Sequence, residues 1–158
     1  MNEEAKMKMG QNVYETICVM FDELEYKYER HDDDLVITCS VRGDDLPMDI
    51  LFVVRPDRQI VQLISPMPFN VPEDKRFDIA LAATVVNNRL VDGSFDFDMA
   101  DGKVSFRLTA SYIESILGKE LFQYMLMVSA STIDAYNDKF FMISKNMMSF
   151  EQFLESDD

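Results

Sequence analysis

The sequence predicts an α+β fold: an antiparallel five-stranded sheet with helices packed on one face. Three observations predict it. Apolar residues recur at helical spacing in three stretches, and five shorter apolar stretches, three of them cleanly alternating, read as strands. The strands fall into a group of three and a group of two. Within each group the connections are short enough to require antiparallel neighbours. The resulting order, αβββαββα, places the helices together against the sheet.

The first helix is predicted over residues 11–26, where Val13, Ile17, Phe21 and Leu24 form an apolar stripe. The residues before it, 1–8, and those at 155–158 read as frayed tails. His31-Asp32-Asp33-Asp34 reads as a turn.

Three strands follow. Residues 35–42 alternate, with Leu35, Ile37, Cys39 and Val41 on one side and Val36, Thr38, Ser40 and Arg42 on the other. Residues 49–55 are apolar on both sides, which suits a central strand. Residues 59–65 form the third strand and lead into a proline-punctuated stretch, 66–72. Gly43-Asp44-Asp45 and Pro56-Asp57 supply the turns between them.

The second helix is predicted from Pro72 to about Leu90, with Glu73 and Asp74 in its first turn. Phe77, Leu81 and Val85 form one apolar row, and Ile79, Ala83, Val86 and Leu90 another. Two rows imply deep burial. A hairpin follows. Phe95, Phe97 and Met99 alternate with polar residues, as do Val104, Phe106 and Leu108. Asp101-Gly102 between them is a preferred two-residue turn. That turn pairs Ala100 with Lys103, Phe97 with Phe106 and Asp96 with Arg107.

The last helix is predicted over residues 119–147. Phe122, Leu126, Ser129, Ile133, Tyr136, Phe140, Ile143 and Met147 form a heptad-like stripe. Asn137-Asp138 is the point at which it would break.

Composition narrows the function. The chain has 158 residues, 47% of them hydrophobic, enough for one domain spanning residues 1–158. It has no run of about 18 apolar residues, so no membrane helix is expected. The acidic start does not resemble a secretory signal. Two cysteines and one histidine give no disulfide framework and no metal site. A cytoplasmic protein is expected. The net charge of -14 repels phosphate backbones and anionic membranes, so neither nucleic acid nor a membrane is an expected partner.

Catalytic signals are lacking. His31 lies in a predicted exposed turn with no positioned partner. Asp96, Asp98 and Asp101 fail the calcium-loop pattern, because the glycine comes late and no glutamate follows at position twelve. Arg42-Gly43-Asp44 is read as a turn, and Cys18 and Cys39 as buried small residues. No glycine-rich phosphate loop is present. The expectation is a non-enzymatic protein with no cofactor.

Two features point to binding. Val36, Leu51, Val53, Val61 and Leu63 are expected to share the sheet face that the helices leave uncovered. Such a patch marks an interaction site. The other feature is methionine, 12 in the chain, with Met125 and Met142 among those on the last helix. These seven residues are the candidate partner-binding or dimer face.

The stretch from Phe77 to Phe153 resembles the YbjN family of bacterial proteins. The resemblance lies in Val85-Val86-Asn87-Asn88, then Gly93-Ser94-Phe95-Asp96-Phe97-Asp98, then Asp101-Gly102-Lys103-Val104-Ser105-Phe106-Arg107, and a long helix after them. It implies a fold similar to type III secretion chaperones, which are small, acidic, usually dimeric binders of polypeptide segments. It brings no catalytic residues. The expected function is a homodimeric, chaperone-like or adaptor module that binds a protein or peptide. The alternative is a small-ligand-sensing regulator of signal transduction.

Overall fold

The computed structural model describes residues 1–156. Helix α1 (Glu3–Glu23) leads to β1 (Glu29–His31), β2 (Val36–Arg42), β3 (Pro47–Arg55) and β4 (Ile60–Asn70). A 3-10 turn (Glu73–Lys75) opens α2 (Arg76–Asn87). Then come β5 (Ser94–Asp98), β6 (Lys103–Ser111), α3 (Lys119–Ser144) and α4 (Phe150–Ser156).

The six strands form one sheet in the order β1-β2-β3-β4-β6-β5, and every neighbouring pair is antiparallel. The α+β class and the antiparallel sheet are as expected, with one strand more. β1 has three polar residues, all exposed, so it carries no apolar alternation that could announce it. His31 therefore ends a strand rather than opening a turn.

α1, α2 and α3 pack on one face. Phe52 of β3 meets Phe21 of α1 and Phe122 of α3 edge-on, and Phe95 of β5 meets Phe140 of α3. The buried side chains form one contiguous core.

Several boundaries differ from expectation. α1 begins at Glu3, because Asn2 Oδ1 accepts the Ala5 N–H at 2.8 Å and caps the helix. Residues 3–8 are thus helical rather than frayed. At the other end, 155 and 156 close α4, and 157 and 158 lie outside the described residues. β4 runs on through Pro66 and Pro68, where the ladder to β6 shifts register. α3 continues through Asn137-Asp138 and stops at Ser144, after which Asn146 adopts a positive φ. Met147 is exposed beyond the helix end, off the stripe.

The β5–β6 hairpin also pairs differently. Phe95 faces Phe106, and Asp98 faces Lys103 across a four-residue loop. Asp98 decides this. Its Oδ1 accepts from the Ala100 and Asp101 N–H groups, and its carbonyl accepts from Gly102 N–H at 2.7 Å. Gly102, at φ +72°, supplies the left-handed residue that closes the loop. Asp96 and Arg107 still form an ion pair, diagonally rather than directly opposed.

Candidate partner-binding edge

The sheet face away from the helices follows from the ladders. Val36 pairs with Val53, Thr38 with Leu51, and Leu51 with Ile64. These residues share a face, and its aliphatic side chains are half-buried. Val36, Leu51 and Val53 thus occupy the expected place. Val61 and Leu63 do not. They pair with Val54 and Phe52, and both are fully buried under the helices. Met125 is likewise in the core, whereas Met142 is half-buried on α3. The open face is also more polar than expected. Arg55 Nε donates to Gln62 Oε1 at 2.6 Å, and Gln62 Nε2 donates to Thr109 Oγ1 at 3.3 Å. This polar strip crosses three strands in the middle of the face.

A second feature lies at the edge of the sheet. β1 pairs with β2 only as far as Thr38, while β2 runs to Arg42. Residues 39–42 therefore have no ladder partner on their outer side among the described residues. Such an edge presents unpaired backbone donors and acceptors.

Recesses lie on both sides of this edge. On the helix side, a recess of about 370 Å³ is lined by Tyr26, Val41, Leu126, Met127 and Ala130. On the open side, a broader depression of about 970 Å³ is lined by Glu29, Thr38, Ser40, Asp49, Leu51 and Pro66. A third, lined by residues 40–47, continues along β2 to the β2–β3 turn.

The flanking segments are held in place. Glu25, at φ +57°, reverses the chain after α1. The Tyr28 ring stacks on Phe21, and its hydroxyl donates to Asp22 Oδ1 at 2.8 Å. At the far end, Asp44 N–H donates to Asp134 Oδ1 at 2.9 Å, which ties the β2–β3 turn to α3. Gly43 makes this approach possible, because a Cβ there would lie 2.2 Å from Asp134 Oδ1.

The edge is electrostatically uneven. The carboxyl of Asp45 is held above the usual range, chiefly by Asp138, then by burial, Asp134 and Asp44. Among the described residues no ion pair neutralises these four carboxylates. The Cys39 thiol is pushed up to about 11, first by burial and then by Asp49.

One of the two apolar rows of α2 is not buried. Phe77 is 75% exposed and Leu81 45%, both on the outward side of α2. The buried side of that helix is Ile79, Ala82, Ala83 and Val86. The two rows were visible in the sequence, but nothing there says that only one is covered. His31 is exposed, with Nε2 3.3 Å from Thr38 Oγ1. Cys18 is buried in α1. No helix among the described residues is long and apolar enough to cross a membrane.

Residues 14–142 match the YbjN family, described as "Putative bacterial sensory transduction regulator". The chain belongs to the YbjN family. Among solved structures it is similar to YbjN of E. coli, described as "a putative transcription regulator", at 14% identity and a TM-score of 0.59, covering 77% of this chain and 86% of that one. It is similar to a chain of the ExsC–ExsE complex, at 15% identity and a TM-score of 0.55, covering 80% and 93%. A chain of the HopA1–SchA chaperone–effector complex is similar at 13% identity and a TM-score of 0.51, covering 79% and 93%. At these identities the likeness is one of fold. No curated protein sequence matches the chain.

Proposed function

We propose that this YbjN-family chain is a non-catalytic, cytoplasmic binding module. It takes an extended segment of a partner protein by strand addition at the free edge of β2, and it acts as a homodimer. The bare edge at residues 39–42, with a recess on either side, carries this reading. An added strand sends alternate side chains to opposite faces. One set would enter the apolar recess against α3, and the other would lie over Thr38 and Ser40. Backbone hydrogen bonds supply affinity in such complexes, and the side-chain recesses supply selectivity. Two structural relatives come from complexes with a second protein, which favours a protein partner here. Two free thiols suit a reducing compartment.

Phe77 and Leu81 on α2 favour self-association through that helix, because a large exposed apolar pair marks an interface. This leaves the open sheet face and the β2 edge to the partner.

A panned library of random 12-residue peptides tests strand addition. Selected peptides should slow amide exchange at residues 39–42 and lose binding to Met127→Glu. No enrichment, or protection elsewhere, would overturn it. Light scattering tests the dimer. Phe77→Asp/Leu81→Asp should halve the mass; a monomeric wild type would remove the dimer. If Leu51→Asp/Val53→Asp halves it instead, the open face is the seam.

A second reading, sensing of a small ligand, draws on the helix-side recess. Its volume of about 370 Å³ lies within the range of small-molecule sites. A metabolite panel that raises the melting temperature nowhere would count against it.

A further inference from the structure

We infer that the segment taken at the β2 edge is cationic: apolar residues towards α3 alternate with lysine or arginine towards the open face and the β2–β3 turn. This rests on the strand-addition reading and specifies its partner.

The two sides of the edge differ in chemistry. The helix side is mainly apolar, formed by Val41, Met127 and Ala130 with the Tyr26 ring, and Glu25, Lys27 and Arg42 also line it; Met127 and Tyr26 are both exposed. The open side carries Glu29 and Asp49 beside Thr38 and Ser40. At the end of the edge, Asp44 and Asp45 of the turn gather with Asp134 and Asp138 of α3. Lys27 and Arg42 are the cations lining the same stretch. Seven carboxylates, Glu25 included, thus face two cations.

This imbalance is local as well as global. Elsewhere Arg30, Arg107 and Lys119 are each held by a carboxylate. At the turn, the backbone itself crowds the acids together, since Asp44 N–H is bonded to Asp134. Like charges held close raise the field that an incoming cation would relieve. The same field opposes a second copy of this chain at the edge. A basic strand fits both sides, apolar below and charged above.

Three labelled 10-residue peptides test this. Each has valine at alternate positions, with lysine, glutamine or glutamate between. Fluorescence anisotropy should rank them lysine, glutamine, glutamate. About tenfold or more should separate the first from the last, from several exposed ion pairs acting together. Raising salt from 50 to 500 mM should erode the difference. Asp45→Asn/Asp138→Asn should weaken the lysine peptide severalfold and leave the glutamine peptide unchanged. Equal binding of all three, with exchange protection at residues 39–42, would overturn the cationic inference and keep strand addition. Absence of protection at 39–42 with every peptide would overturn strand addition itself, and this inference with it. Tight binding of the lysine peptide that ignores Asp45→Asn/Asp138→Asn would reduce the effect to the net charge of the chain and overturn the assignment to this edge.

Discussion

Phe52 and Leu63 face each other across the β3–β4 ladder, and neither has exposed surface. Leu51, one residue before Phe52, pairs with Ile64 on the opposite, open face. Neighbouring positions in one strand therefore carry very different energetic weight. Leu63→Ala removes buried methyl groups and leaves a cavity, at a cost of about 2–5 kcal/mol. Leu51→Ala, on the open face, should cost about 1 kcal/mol or less, since only part of its surface leaves water. Urea unfolding of both variants checks this. Equal losses would mean that the register is wrong.

The error about Leu63 shows where sequence patterns stop informing. β4 reads Ile60-Val61-Gln62-Leu63-Ile64, with apolar neighbours at both ends. A strand apolar on both sides gives no parity, and a one-residue slip exchanges the faces. Where polar and apolar residues alternate cleanly, as in β5 and β6, the faces were legible. There the register was not, because the Asp98 carboxylate favours a longer loop than the Asp101-Gly102 pair suggests. The β2 edge was invisible for another reason. It exists because β1 stops early, and no property of β2 itself reports that. Phe77 and Leu81 could be seen as an apolar row, but their exposure depends on which side of α2 meets the sheet.

Asn137 gives a stability prediction. It sits in α3 with no exposed surface, and neither its Oδ1 nor its Nδ2 has a hydrogen-bond partner in the protein. Burying an unpaired amide costs about 1–3 kcal/mol. Leucine has the same branched skeleton without the polar atoms. Asn137→Leu should therefore raise stability by about 1 kcal/mol or more in urea titrations. A loss of stability would show that the amide is satisfied, for instance by enclosed water.

The acids at the β2–β3 turn predict a pH dependence. The Asp45 carboxyl is held above the ordinary carboxylate range, with Asp138 as the largest cause. A raised carboxylate value means that ionisation opposes folding. The penalty is present at neutral pH and is relieved as pH falls through the folded value towards the unfolded one. Asp138→Asn removes the main source. Its melting temperature should exceed that of the wild type at pH 7, and the gap should close on acidification to about pH 4, where carboxylates protonate. A gap that widens with acid would contradict the repulsion. High salt should narrow it at every pH.

Cys39 offers a probe of the edge itself. It lines both recesses, and burial pushes its thiol up to about 11. Only the thiolate is alkylated, so at pH 8 the reaction with iodoacetamide should run about two orders of magnitude slower than for a free thiol. Denaturation should release both Cys39 and the buried Cys18 to the free rate. A segment added along residues 39–42 would cover the Cys39 side chain and slow its labelling further. Met127→Glu should abolish that extra protection, read as the ratio of the rates with and without peptide in the same variant, because a new carboxylate in the recess also acts on the thiol. If Cys39 in the folded protein reacts at the free-thiol rate, the recess is wetter than its packing requires, and an apolar side chain would gain little by entering it.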